Sequence, residues 1–149
     1  MLENNYYMII TNPKDYLIDI KNDFSFIGFP ERNRNSVKKF KKGDRIIFYV
    51  TKRSAFAAIV EVTGEYYYEN TKVWDDEFDL WPHRIHCKPL YIIKSRYTMV
   101  YIKDIWDNLS FIKSKDKWGV YVQGSYRSLK KQDYIVIESE IKKRCRQCV

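Results

Sequence analysis

Two neighbouring apolar runs of strand length constrain the fold more than any other feature of this sequence. Residues 45–51 carry apolar side chains on both faces of the predicted strand, which is typical of a strand in the middle of a sheet. Residues 55–63 form the second run, and its alanines leave room for another layer or a ligand to approach closely. We therefore expect a β-rich core that contains these two strands.

Shorter patterns surround the two strands. Residues 6–11 predict another strand, followed by a short helix that Asn12 caps and Pro13 begins. The other predicted elements are an inward helix face of Tyr16, Leu17 and Ile20, an extended segment at 24–29, a helical turn at 35–42, a loop-like region at 66–79, a strand at 83–93, an amphipathic helix at 99–109, a strand at 118–124 and a helix at 130–144 with Tyr134, Ile137 and Ile141 inward. Five or six short strands with such helices predict a small α+β domain built on a curled, mostly antiparallel sheet.

The length of 149 residues predicts a single domain, with its core over residues 6–141 and a basic tail over 142–149. Three cysteines, an odd number, do not form a disulfide framework, which favours a reducing cytoplasm. No apolar run reaches the roughly 18 residues of a membrane span, and the first five residues lack the pattern of a secretory signal. We expect a cytoplasmic domain without a membrane segment.

A basic segment holds most of the excess charge. Between residues 31 and 53, nine Lys or Arg residues stand against two acidic residues, a balance of +7 in a chain whose net charge is +8. Such a patch is typical of proteins that contact phosphates, although lysines on a short helix are also compatible with a solvated face. The candidate phosphate-binding residues are Arg32, Arg34, Lys38, Lys39, Lys41, Lys42, Arg45, Lys52 and Arg53.

Five separated sequence blocks, in this order, resemble the EVE domain family. The blocks are YYMIITNP at 6–13, GFPERNRNSVKKFKKGD running into RIIFYVT at 28–51, AFAAIVEVT with a tyrosine-rich segment and KVW at 55–74, WPHRIHCKP at 81–89, and KWGVYVQGS at 117–125. That family belongs to the PUA-like superfamily and is similar in fold to the YTH readers of methylated adenine. The resemblance implies a small β-barrel flanked by helices, with a pocket for a flipped, modified nucleobase beside a basic surface.

The same resemblance implies which residues form the base pocket. Its first wall falls near Phe29, where many relatives have a Trp immediately before the glycine and this chain has Ile27. Trp74 matches the second wall, and Trp81 is a competing candidate. Further pocket candidates are Asn12, Tyr49, Thr51, Trp118 and Gln123. Core packing is the alternative role for Phe29, Trp81 and Trp118, while Tyr49 and Thr51 are also compatible with ordinary strand positions.

The resemblance and the basic segment together predict a binding module that reads a modified nucleobase, in the simplest case a methylated one, in DNA or RNA. A flipped base must regain its lost stacking, and an aromatic wall supplies roughly 1–3 kcal/mol per base. One alternative is a binder of structured RNA without modification readout. Another is a small hydrolase of acylated nucleosides, for which Thr51, Lys52 and Glu61 are the only grouping. We expect no enzyme and no cofactor, because no nucleophile elbow, phosphate-binding glycine loop or HExxH motif occurs.

A zinc site is the remaining possibility that the residue types suggest. His83, His86 and Cys87 would have to combine with Cys145 and Cys148, which form a CxxC pair near the end of the chain. In a strand the two histidines point to opposite faces, and the CxxC pair lies in the predicted tail. We therefore expect no metal, and we interpret Cys87 as a small core residue.

Overall fold

The computed structural model describes residues 4–147, which contain seven strands and three α-helices. The strands are β1 (Tyr6–Thr11), β2 (Phe26–Phe29), β3 (Arg45–Val50), β4 (Ala55–Tyr68), β5 (His83–Ile92), β6 (Val100–Tyr101) and β7 (Tyr126–Leu129), and the helices are α1 (Pro13–Lys21), α2 (Ile102–Ile105) and α3 (Lys131–Gln147). Short 3-10 turns cover Glu31–Asn33, Val37–Lys39, Trp106–Asn108 and Trp118–Val122. In this part of the chain no helix is both long and apolar enough to cross a membrane.

The strands form one sheet in the order β2-β5-β4-β3-β1-β7, and β6 pairs with β4. Only the β1–β3 pair is parallel among the described strands. β3 lies inside the sheet with five of its six residues buried, as its two apolar faces predict. The pairing of β4 with β5 shifts register twice, and such irregularities bend a strand and increase its twist. The predicted α+β fold with a curled, mostly antiparallel sheet is confirmed.

Helix α1 begins as the sequence predicts but turns a different face inward. Asn12 has an extended backbone conformation, and its Oδ1 accepts a hydrogen bond of 2.9 Å from the N–H of Asp15, which satisfies one of the free donors at the helix start. Tyr16 is buried, whereas Leu17 is 63% exposed and Asp19 is only 5% exposed. The predicted inward position of Leu17 is therefore wrong, because Tyr16 and Asp19, three residues apart, set the buried face.

Three other predicted elements differ from the structure. Residues 66–68, expected in a loop, belong to β4. Residues 99–109 do not form one amphipathic helix, since β6 pairs with β4 and leaves a single turn of α2 before a 3-10 turn. Residues 118–122 form a 3-10 turn instead of a strand. Their aromatic and β-branched composition misled the prediction, because strand propensity depends on whether a neighbouring strand is available, and β7 already pairs with β1.

Candidate functional site

A cavity of about 260 Å³ opens where β1 and β3 end, beside the first turns of α1. We call it the tryptophan cavity, because Trp74 and Trp81 both line it. The other lining residues are Ile9, Ile10, Thr11, Asn12, Asp15, Asp19, Ile27, Gly28, Arg32, Phe48, Thr51 and Gly124. Its walls combine apolar and aromatic residues with polar groups on α1, at the ends of β1 and β3, and in the turn that carries Arg32.

Trp74 is fixed by contacts on several sides and is only 8% exposed. Its indole Nε1 donates a hydrogen bond of 2.8 Å to Oδ1 of Asp19, and its ring lies edge-to-face with Phe26 at 5.7 Å between centroids. The ring also covers the Cα of Gly28, where an added Cβ would lie 2.5 Å from Cη2 of Trp74. Glycine at this position therefore allows the indole to approach the strand closely.

Trp81 is held by the acidic loop that precedes it. Its Nε1 donates a hydrogen bond of 2.8 Å to Oδ2 of Asp76, and its backbone N–H donates one of 3.0 Å to Asp79. The bond from Trp81, followed by one from the Phe78 N–H, lowers the pKa of Asp76. Trp81 has a backbone φ of +53°, a left-handed conformation that costs a non-glycine residue about 1–3 kcal/mol. The hydrogen bonds from the loop thus hold Trp81 at the cavity in a backbone conformation that non-glycine residues rarely adopt.

Arg84, which sequence reasoning did not select, joins the two tryptophans. Its side chain is almost fully buried on β5, and its guanidinium lies 5.3 Å from the centre of the Trp74 ring. It donates hydrogen bonds to the carbonyl oxygens of Trp81, Leu80 and Thr71. Burial lowers the pKa of Arg84. The sequence gives one indication of this contact with the two tryptophans: an arginine closely follows the Trp-Pro pair on a strand expected to be partly buried.

The polar side of the cavity centres on Asp19, which the sequence analysis also missed. Burial raises the pKa of Asp19 to about 7, the hydrogen bond from Trp74 opposes this effect, and nearby Asp15 adds to it. Asn12 Nδ2 donates a hydrogen bond of 3.0 Å to Asp15, so both predicted and missed residues meet here. The N–H of Thr51 donates to the carbonyl of Thr11 at 2.8 Å, which fixes the ends of β3 and β1 next to each other.

Arg32 is the one predicted phosphate ligand among the residues that line the cavity. Its Nη2 donates a hydrogen bond of 3.1 Å to Oγ of Ser125. The turn that carries it is anchored by Glu31, whose N–H donates to Asp79 at 3.0 Å and whose carboxylate lies 2.6 Å from Nε2 of His83. The cationic side chain is therefore held at the cavity by contacts on both sides of its turn.

Four predicted pocket residues lie outside the cavity lining. Phe29 is 1% exposed and packs edge-to-face against Phe40 and Tyr126, while Ile27 lines the cavity in its place. The other three are Tyr49, which is buried against Phe56, Trp118, which packs half-buried against Trp106, and Gln123, which is exposed beside the lining residue Gly124. For Phe29, Tyr49 and Trp118, the structure places the rings in packing contacts.

The predicted cations do not form one patch. Arg45 lies at the start of β3 and is bound to Glu138 at 3.0 Å and Glu61 at 3.6 Å, so it is committed within the protein. Lys52 and Arg53 follow the other end of this strand, about 20 Å away at 3.3 Å per residue. Arg34 pairs with Glu31 at the surface, and the exposed lysines are Lys38, Lys39, Lys41, Lys42 and Lys52.

The residues of the two alternative chemistries do not come together. Thr51 lines the cavity, but Glu61 lies opposite Arg45 at the far end of β3. His83 is bonded to Tyr66 and Glu31, and Cys148 lies outside the described residues. Among residues 4–147, no group of three His, Cys, Asp or Glu side chains is arranged to hold a metal ion.

Comparison with known proteins places this geometry in context. The EVE domain model matches residues 5–139, and a UPF0310 protein from Pyrococcus abyssi is 31% identical over 147 residues, covering 91% of this chain and 98% of that protein. The Mmi1 YTH domain matches with a TM-score of 0.66 at 10% identity, covering 97% of this chain and 79% of that one. The YTH domain of Zygosaccharomyces rouxii MRB1, solved in complex with N6-methyladenosine RNA, gives 0.62 at 11% identity, covering 94% and 85%. These likenesses confirm the predicted PUA-like architecture.

Proposed function

The chain belongs to the EVE domain family, and on this premise we propose that it binds nucleic acid and takes one modified nucleobase, turned out of its strand, into the tryptophan cavity. Structural neighbours solved with RNA support a nucleic-acid partner. We propose a binding module and not an enzyme, since Glu61 lies at the opposite end of β3 from Thr51 and Lys52.

The observation that carries this proposal is the presence of two tryptophans in one small cavity. A base that leaves its stack loses favourable contacts, and an aromatic side chain returns roughly 1–3 kcal/mol per base. The volume of about 260 Å³ lies just below the usual range of about 300–1,000 Å³ for drug-sized ligands. The cavity therefore suits a single ring system and not several stacked bases.

Polar groups beside the tryptophans would form hydrogen bonds with the edge of the base. Oδ1 of Asp19 accepts from Trp74, while no hydrogen bond from residues 4–147 occupies its Oδ2. A base that donates an N–H to this oxygen would satisfy a nearly buried carboxylate, and hydrogen bonds to charged groups contribute about 1.5–3 kcal/mol. The Asn12 and Thr51 side chains are further candidates for edge contacts.

Recognition of the modification follows from apolar area and from shape. Burying one methyl group contributes about 0.8 kcal/mol, or roughly a fourfold preference over the unmodified base. A larger preference requires that the cavity fits the methylated base closely, so that an unmodified base leaves a void beside the indole rings.

Fluorescence anisotropy titrations would test the proposal. The probes are seven-nucleotide strands that carry 5-methylcytosine, 5-hydroxymethylcytosine or N6-methyladenine at the centre, with unmodified strands for comparison. Trp81→Ala should weaken binding of the preferred strand by about fivefold to 150-fold, since it removes one stacking partner. Trp118→Ala is the matched control, because Trp118 is also half-buried but packs against Trp106 away from the cavity.

The outcomes distinguish recognition of a modified base from nucleic-acid binding without modification readout. Preference for one modified strand that is lost in Trp81→Ala and kept in Trp118→Ala supports the proposal. Equal binding of all strands, modified or not, with no effect of Trp81→Ala, would instead favour a nucleic-acid binder without modification readout. No binding to any of the strands would contradict both.

A further inference from the structure

A second cavity, of about 230 Å³, lies against the opposite side of the first turns of α1. We call it the cationic groove. Its apolar lining comes from Pro13, Tyr16, Leu17, Val50 and Met99, and its remaining lining residues are Arg53, Lys94 and Arg96. The groove thus combines an apolar surface with three positive side chains and no acidic one.

The three cations are available for an external anion. Within the described residues, no carboxylate lies within 4 Å of Arg53, Lys94 or Arg96. Arg96 is held in place by Tyr97, whose hydroxyl lies 2.7 Å from Nη2 and whose ring centre lies 4.8 Å from the guanidinium.

The apolar part of the groove is accessible. Leu17 is 63% exposed although it lies on a helix whose neighbouring turn is packed into the core. Val50 and Met99 form a buried floor, and the hydroxyl of Tyr16 is engaged by the carbonyl oxygen of Ile93 at 2.8 Å. An apolar ring lying on Leu17 would therefore cover exposed hydrocarbon without displacing any hydrogen bond of the protein.

The cationic groove and the tryptophan cavity share one wall. Asn12 and Thr51 line the tryptophan cavity, and the residues next to them in the chain, Pro13 and Val50, line the groove. Consecutive Cα atoms are 3.8 Å apart, so the end of β3 and the start of α1 supply lining residues to both the tryptophan cavity and the groove. A strand that occupies both sites must cross this shared wall.

We infer that the cationic groove binds the nucleotide adjacent to the one whose base enters the tryptophan cavity. This inference rests on the proposed function. The neighbouring base lies on the apolar surface around Leu17, and its phosphate is bound by Arg53, Lys94 and Arg96. Three positive side chains favour a phosphate-bearing strand as the occupant. Because the groove shares a wall with the tryptophan cavity, the nucleotide bound there is the one adjacent to the flipped base.

The test compares variants of the groove with a matched pair of cations elsewhere. Lys94→Gln with Arg96→Gln removes two exposed charges from the groove, and Lys130→Gln with Lys131→Gln removes two exposed charges beyond the other end of β1. The probes are the seven-nucleotide strands described above and the corresponding free modified nucleosides, which have no phosphate. Strand affinity is measured at several salt concentrations by anisotropy, and nucleoside affinity by calorimetry.

We expect the groove variant to weaken strand binding and to reduce the slope of log affinity against log salt by about 0.7, since the groove binds one phosphate and each single-strand phosphate contact contributes about 0.7. Nucleoside affinity should stay unchanged, and the control pair should leave both quantities unchanged. Leu17→Glu, which places a carboxylate on the apolar surface, should also weaken strand binding and spare nucleoside binding.

A groove variant with the strand affinity and salt slope of the unaltered protein would overturn the inference. A hexaglutamate peptide that binds as tightly as the strand, and loses affinity equally in the groove variant, would overturn it in favour of an acidic peptide. Failure of the proposed function gives a different result: nucleosides do not bind and Trp81→Ala has no effect. A reduced salt slope in the groove variant would in that case still place the strand in the groove.

Discussion

Replacing Asp19 with asparagine should stabilise the protein by an amount that depends on pH. The Asp19 side chain is only 5% exposed, and burial raises its pKa from 3.8 to about 7. Asparagine has nearly the same shape and keeps an oxygen to accept the hydrogen bond from Trp74 Nε1. The substitution therefore removes the titration of this group while retaining its main contact.

The sign follows from proton binding in the two states. Between pH 3.8 and about 7 the folded protein holds a proton on Asp19 that the unfolded chain has released, so stability falls as pH rises through this window. At about 1.4 kcal/mol per pKa unit, the pKa difference of about three corresponds to a total of about 4 kcal/mol. Roughly 2.5 kcal/mol of this is lost between pH 5 and pH 8.

Urea unfolding of both proteins at pH 5 and pH 8, at constant ionic strength, measures this difference. The free energy of unfolding of Asp19→Asn, relative to the unaltered protein, should be about 2.5 kcal/mol more favourable at pH 8 than at pH 5. Titrating groups that do not interact with Asp19 behave alike in the two proteins and cancel in the comparison. The same gain at both pH values would refute the conclusion that folding buries an ionisable carboxyl at this position.

Two further substitutions test how the tryptophan cavity is built. Gly28→Ala places a Cβ 2.5 Å from Cη2 of Trp74 and 2.8 Å from the carbonyl oxygen of Trp81, so thermal unfolding should show a loss of about 1–3 kcal/mol. Unchanged stability would contradict this close approach. Arg84→Lys has three donors, in the wrong geometry, for the four oxygen atoms that the guanidinium binds, and urea unfolding should show a loss of about 1–3 kcal/mol. A lysine variant as stable as the parent would show that these bonds do not hold the loop.

The central strands and the start of α1 were predictable because local sequence decides them. β3 is apolar on both faces and lies inside the sheet, and Asn12 with Pro13 marks a helix start by its own chemistry. Elements that depend on distant partners were predicted less well. Residues 118–122 have strand composition but form a 3-10 turn, since composition alone does not supply a strand to pair with.

The site was predictable only in part, for the same physical reason. Trp74 and Trp81 stood out as aromatic residues within matching blocks, and both line the cavity. Asp19 and Arg84 acquire their positions through contacts with residues far away in the chain, such as the hydrogen bond between Asp19 and Trp74, 55 positions apart. Arg45 was selected as a phosphate ligand because its sequence neighbours are basic. In the fold it forms an ion pair with Glu138, 93 positions away, a contact that local sequence does not indicate.

Several features that lower stability meet at the tryptophan cavity. Trp81 adopts a left-handed backbone conformation, Asp19 is buried with a raised pKa, and Arg84 is withdrawn from water on β5. Apolar residues of similar volume are often as stable as buried charges, or more so, so stability alone does not account for these choices. Local departures of this kind concentrate where a protein binds or reacts. Their coincidence at the cavity therefore supports a binding role on grounds independent of family resemblance.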